Sequence, residues 1–214
     1  RETLTFRNNT SQTALPMRQH GSFKIGEVVG GAGVHWGGVT LRFLPWDFVT
    51  RSSTEARYGK AQFAEDCTSQ DWGISYDELE PYYDQFEYIY GIGGKAGNLN
   101  GEIQPGGNPF EGPRSREFPN PPSHPSYSGE LFGAAAKSLG YTPYSTPTAG
   151  MTQPYTNPYR LNLGQCSHGG FCVGHGCAMD AKATPLTTVV PSLAQHENFE
   201  LRTLCNVIRV NMDS

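Results

Sequence analysis

Cys166, Cys172 and Cys177 fall within twelve residues, with five and then four residues between successive thiols. Thiolates are soft ligands that suit zinc and iron–sulfur centres, and the glycines between them let a chain wrap a compact metal. His168 and His175 lie in the same stretch and could complete a zinc site, although the spacing departs from the C-x2-C zinc pattern. Three readings stand side by side: an iron–sulfur ligand set, a zinc site, and free thiols or one disulfide. Cys67 and Cys205 stand apart and read as structural, and five cysteines make no complete disulfide framework.

A second segment with chemical potential runs Gly30-Gly31-Ala32-Gly33-Val34-His35-Trp36-Gly37-Gly38. Glycines let the backbone approach a ligand closely, and successive N–H groups can cradle a pyrophosphate or the polar edge of a ring. A tight structural turn explains the composition equally well. His124 and His196 sit in a Pro-rich loop and a polar turn, and both are expected to be exposed.

Several elements must position these groups. Thr3–Phe6 and Phe23–Val29 read as short extended stretches leading into the glycine loop, and Trp46–Asp71 as a loop or lid with little regular structure. Ser75-Tyr76-Asp77-Glu78 spells a capping box. Apolar positions at Leu79, Tyr82, Tyr83, Phe86, Ile89 and Tyr90 predict a helix with one buried face, kinked or started by Pro81 and stopped by Gly91. Gly91–Ser126 is a Gly-, Pro- and Asn-rich loop of a length that is often functional. A second helix is predicted over Tyr127–Leu139, ended by Gly140. Tyr141–Tyr159 reads as extended or polyproline-like, and Phe199–Thr203 and Asn206–Val210 as two short strands.

The 214 residues suffice for one sizeable domain or parts of two, and with 36% hydrophobic and 17% charged residues the chain can bury a core. A net charge of -4 without a basic block argues against nucleic acid as a partner. No apolar run approaches the roughly 20 residues that cross a bilayer, and no signal peptide is visible. The chain opens on Arg1 and stops at Ser214 just after a strand-like stretch, so it reads as an internal piece of a longer protein.

With His35 and Trp36, the glycine segment resembles the flavin-contacting segment of the glucose-methanol-choline (GMC) oxidoreductases. Likeness to the gluconate-type dehydrogenase flavoproteins of that family extends through residues 71–83, 107–116 and 164–185, nearly the whole chain. The resemblance implies an α/β (in part α+β) partial GMC fold. Residues 1–45 would belong to a Rossmann-like FAD-binding domain, 46–160 to a loop-rich lid and substrate portion, and 161–214 to the cysteine segment and the return to the FAD domain. It implies FAD contacts at Gly30, Gly31, Gly33, His35, Trp36, Gly37 and Gly38, with His35 joined covalently to the flavin. Asn198–Val210 resembles a strand pair of the family in which Val207 would contact the adenine.

For the cysteines the resemblance implies a [3Fe-4S] cluster on Cys166, Cys172 and Cys177, although Gly169 stands where the family pattern has a further cysteine. The implied activity is oxidation of a sugar, polyol or aldonate hydroxyl, with electrons passed through the cluster to a multi-haem cytochrome c subunit beside a small subunit. The place implied is the periplasmic face of the bacterial inner membrane, with membrane contact through the partner. Two alternatives accompany it: an oxygen-using oxidase of the pyranose oxidase type, and a non-catalytic, zinc-binding interaction protein. The upstream pyrophosphate fingerprint and the downstream catalytic histidine of the family fall outside residues 1–214, so no catalytic base is assigned.

Overall fold

The computed structural model describes residues 5–6, 11–16, 26–64 and 66–212. Its elements run β1 (Thr5–Phe6), β2 (Leu15–Pro16), α1 (Thr50–Tyr58), α2 (Tyr76–Tyr90), β3 (Asn98–Leu99), β4 (Glu102–Ile103), α3 (Tyr127–Ser138), β5 (Tyr155–Thr156), β6 (Asn162–Leu163), α4 (Pro185–Thr188) and α5 (Val190–Leu193). The sheets are three local antiparallel pairs, β1–β2, β3–β4 and β5–β6. Helices and small sheets are therefore mixed, as the expected fold class requires. None of these ladders is parallel, so the described residues contain no Rossmann-like parallel sheet. No helix among them is long and apolar enough to cross a membrane.

The capping box at Ser75 forms as read. The Ser75 hydroxyl accepts from the Glu78 N–H at 3.2 Å, and a Glu78 carboxylate oxygen accepts from the Ser75 N–H at 2.7 Å. The helix runs through Pro81 and ends at Gly91, whose φ of 59° is left-handed. Its buried side chains are Tyr76 and Glu87, whereas Tyr82 and Phe86 of the expected apolar face are exposed. The buried face carries an ion-pair network. Glu87 receives a bidentate pair from Arg42 and a second pair from Arg114, whose side chain is 1% exposed. Arg114 also lies 3.7 Å from the centre of the Phe118 ring. Burial alone would lower the Arg42 pKa, but the Glu87 carboxylate outweighs it and raises it.

Two more expectations are corrected. Residues 46–71 are not irregular: α1 forms there, flanked by 3-10 turns at Pro45–Val49 and Lys60–Gln62. Its first N–H groups, from Arg51 and Ser52, donate to Asp71 Oδ1 at 3.0 and 3.1 Å. The missing cap thus arrives from about twenty residues away, invisible to a local motif. The expected strands at 199–203 and 206–210 do not form; Leu204, Val207, Ile208 and Val210 are exposed in an extended segment with no ladder. A strand needs a neighbouring edge, and none lies beside this segment among the described residues. Of the stretch 23–29, residues 23–25 lie outside the described residues, and Val28 and Val29 are bend and turn rather than strand.

The long loop after Gly91 is ordered by two carboxylates that accept backbone N–H groups. Glu111 takes those of Gly97 and Asn98, and Glu117 takes that of Ala96 at 2.6 Å. α3 forms on its Ser126 cap but buries none of its residues. The main core cluster joins Ile92, Phe118, Ala149 and Met151 to Leu163, Ala181 and Ala183, with Trp36, Tyr90, Cys166 and Cys177 packed against it. All three expected stretches, 1–45, 46–160 and 161–214, contribute to this one cluster.

Candidate functional site

The glycine segment folds as a turn followed by one 3-10 turn over Gly31–Val34. The Gly31 N–H donates to the Val28 carbonyl at 2.8 Å and that of His35 to the Ala32 carbonyl at 3.2 Å. Gly30, at φ 93°, and Gly38, at φ 78°, adopt a backbone that side-chain-bearing residues rarely take. Gly33 is close-packed for another reason: a Cβ there would stand 3.1 Å from Pro185. Much of the glycine content is thus used by the turn itself.

Trp36 is anchored to the core. Its Nε1 donates to the Ala183 carbonyl at 3.0 Å, and its ring meets Tyr90 edge-on at 6.5 Å. The Gly38 carbonyl accepts the Ala149 N–H at 2.7 Å, so the stretch from Trp36 to Gly38, just after His35, is tied to the core. His35 differs: its Nε2 is buried and has no hydrogen-bond partner among the described residues, a state shared by Thr40 Oγ1. Buried polar atoms are nearly always paired, so this imidazole nitrogen is free to take a partner that the described residues do not supply.

The cysteine loop lies directly against this histidine. The Gly174 N–H donates to the His35 carbonyl at 2.8 Å, and Val173 faces Gly37. Lys182, almost fully buried, donates from Nζ to the carbonyls of Cys172 at 2.8 Å and His175 at 2.9 Å. Beside it an open pocket of about 320 Å³ is lined by Val34, Cys177, Asp180, Lys182, Leu186 and Thr187. Burial pushes the Cys177 thiol up, but the N–H groups of Met179, Ala181 and Lys182 and the Lys182 charge outweigh it and hold the thiol below its usual range.

The residues present fit the two expected groups unequally. The orphaned His35 Nε2 fits a flavin contact or bond at that atom. For a metal cluster the donors do not converge: all five cysteines are free, and among the described residues no group of three His, Cys, Asp or Glu side chains is placed to hold an ion. Cys166 and Cys177 pack toward the core while Cys172 is exposed. Val207 is 78% exposed on the extended segment and packs in no core, and Cys205, read as structural, is exposed as well. His124 and His196 are exposed, as expected.

Sequence reasoning missed Lys182, and it missed Arg42 and Glu87. No spacing rule links residues 42, 87 and 114 or residues 172, 175 and 182. In the 108–116 loop Arg114 is committed to Glu87, and Arg116 to Asp84 at 2.7 Å.

No protein-family model matches the chain. It is 44% identical over 215 residues to the gluconate 2-dehydrogenase flavoprotein of Pantoea cypripedii, covering 99% of this chain and 35% of that protein. It is 29% identical over 186 residues to 6'''-hydroxyparomomycin C oxidase of Streptomyces lividus, covering 86% and 29% of the two. It is also 32% identical over 127 residues to the fructose dehydrogenase large subunit of Gluconobacter japonicus, covering 59% and 20%. These similarities are consistent with the glucose-methanol-choline type of flavoprotein oxidoreductase that the chain's motifs resemble. Within that type it is similar to the gluconate 2-dehydrogenase flavoprotein over nearly its whole length, and it spans about a third of that relative.

Proposed function

We propose that the protein carrying this chain is an FAD-dependent dehydrogenase that oxidises a hydroxyl of a sugar, polyol or aldonate. The observation that carries the reading is the unpartnered, buried Nε2 of His35 on the glycine turn, in a chain 44% identical to a gluconate 2-dehydrogenase flavoprotein. A bound flavin would supply the two-electron chemistry, as the acceptor of hydride from the carbinol carbon. This chain's part is to hold it: His35 at the flavin, covalently through Nε2, with Trp36 and Gly38 fixing the histidine's backbone. Gly30, Gly31, Gly33 and Gly37 shape the turn around that contact, and Val207 belongs to the adenine side of the same reading. The base that takes the hydroxyl proton is not assigned to this chain.

The wider reading places the protein at the periplasmic face of the inner membrane, with a small subunit and a multi-haem cytochrome c subunit as partners. Its support is the likeness to subunits of dehydrogenases such as fructose dehydrogenase. Three thiols in one loop beside His35 support a [3Fe-4S] centre by their number, and their present arrangement does not.

Denaturing the protein and scanning the gel for flavin fluorescence tests the central claim. A fluorescent band in the wild type that vanishes in His35→Ala is expected. Flavin released freely by acid would overturn the covalent bond, and a protein that holds no flavin would overturn the reading altogether. A second reading, an oxygen-using oxidase, is favoured by the likeness to 6'''-hydroxyparomomycin C oxidase. Turnover with oxygen compared with a dye acceptor separates the two.

A further inference from the structure

Lys182 has a role that neither the glycine turn nor the cysteines account for. Its residue is 4% exposed, and none of the ion pairs among the described residues involves it. An ammonium is costly to take out of water, and a methionine of similar reach would fill the same volume without that cost. What the ammonium adds is directional. It grips two carbonyls, those of Cys172 and His175, on a loop whose Phe171 and Val173 side chains are 81% and 72% exposed and give it little apolar anchorage.

The backbone around Lys182 is rigidly fixed. Met151 N–H donates to the Ala181 carbonyl and Ala183 N–H to the Ala149 carbonyl, both at 2.8 Å, so residues 181–183 run against the core. From this one segment two arms reach the glycine turn. The Ala183 carbonyl takes Trp36 Nε1 directly, and Lys182 Nζ holds the cysteine loop, whose Gly174 N–H then binds the His35 carbonyl at 2.8 Å. The His35-Trp36 step is thus held at two points, directly by Ala183 and through the cysteine loop by Lys182.

We propose that Lys182 is a positioning residue for His35: by gripping the Cys172 and His175 carbonyls it presses Gly174 onto the His35 backbone and sets the imidazole where the flavin meets it. The last clause rests on the flavin reading above; the mechanical link between Lys182 and residue 35 does not. The link also makes the cysteine loop and the flavin-binding turn one unit, so a disturbance of either is felt by the other.

Hydrogen exchange by mass spectrometry on the intact protein tests this, comparing wild type, Lys182→Met and Lys182→Arg. Lys182→Met is expected to speed exchange at least about tenfold over residues 170–176 and over 31–38 while α2 is unchanged, since two charge-assisted bonds are lost. Lys182→Arg, which keeps charge and donors, should recover much of that protection. In the same samples the flavin retained after denaturation should fall in Lys182→Met and return in Lys182→Arg. Unchanged exchange over 170–176, or faster exchange there without any change over 31–38, overturns the proposal. Should Lys182→Met fail to fold, Lys182→Gln decides by the same comparison, and equal acceleration over 170–176 and α2 counts against a positioning role. A wild type without flavin would sink the flavin reading, while exchange would still decide the positioning.

Discussion

Arg42 grips Glu87 through two parallel hydrogen bonds, Nε to Oε1 at 2.8 Å and Nη2 to Oε2 at 2.9 Å, and so ties the segment after the glycine turn to α2. Arg114 approaches the same carboxylate from the loop after β4, so one buried anion joins three parts of the chain. Removing Glu87 would leave two buried guanidinium groups without their main counter-charge. Glu87→Ala is therefore expected to destabilise the protein by about 3–5 kcal/mol, read from the denaturant midpoint. A loss below about 1 kcal/mol would show that the network is dispensable.

Acid should loosen α1. The Asp71 carboxyl is held below its usual pKa, first by the Ser52 hydroxyl and then by the Ser52 and Arg51 N–H groups. A carboxyl with a depressed folded pKa contributes stability that is present above its unfolded pKa and is lost as pH falls through the folded value. The melting temperature of wild type should accordingly exceed that of Asp71→Ala at neutral pH, and the gap should close below about pH 4. A gap that widens in acid would contradict the assignment.

The helix that carries Glu87 depends on a local cap. Ser75→Ala removes the hydroxyl that accepts the Glu78 N–H and should cost about 1 kcal/mol of stability. Ser75→Asp, which keeps an acceptor, should restore most of it in the same unfolding experiment.

Gly91 has no room for a side chain. A Cβ there would fall 2.5 Å from the Tyr155 ring and 2.8 Å from the Met151 sulfur, on a backbone already at φ 59°. Gly91→Ala should lower stability by more than about 1 kcal/mol, beyond the usual gain from stiffening the unfolded chain. An unchanged or raised melting temperature would show that the junction of α2 with the core is softer than its geometry indicates.

Features closed within a few residues are legible in the amino-acid sequence alone. The capping box at Ser75, the stop at Gly91, α3 on its Ser126 cap and the turn at Gly30–Gly38 are each set by neighbours in sequence, because capping and turn chemistry act over three or four residues. The apolar period in α2 is met in part: Leu79, Tyr83, Ile89 and Tyr90 are half-buried, with Tyr90 against the core, whereas Tyr82 and Phe86 are exposed and the fully buried Glu87 lies outside the pattern. α1 escapes sequence reasoning because its N–H groups are satisfied by Asp71, far along the chain.

The sequence by itself determined the turn that offers a close approach, the histidine on it and the crowding of three thiols in one loop. Its motifs also carried the likeness to flavoprotein oxidoreductases. Only the tertiary structure decided that Trp36 serves the core, that His35 keeps a free buried nitrogen and that the thiols do not converge. It alone brought Gly174 to His35 and Lys182 to the loop between them. The reason is physical: the contacts of Trp36 with Ala183 and of His35 with Gly174 join residues more than a hundred positions apart, and the grip of Lys182 on the cysteine loop, though nearer in sequence, follows no period or spacing; all form only when a core brings these backbones together.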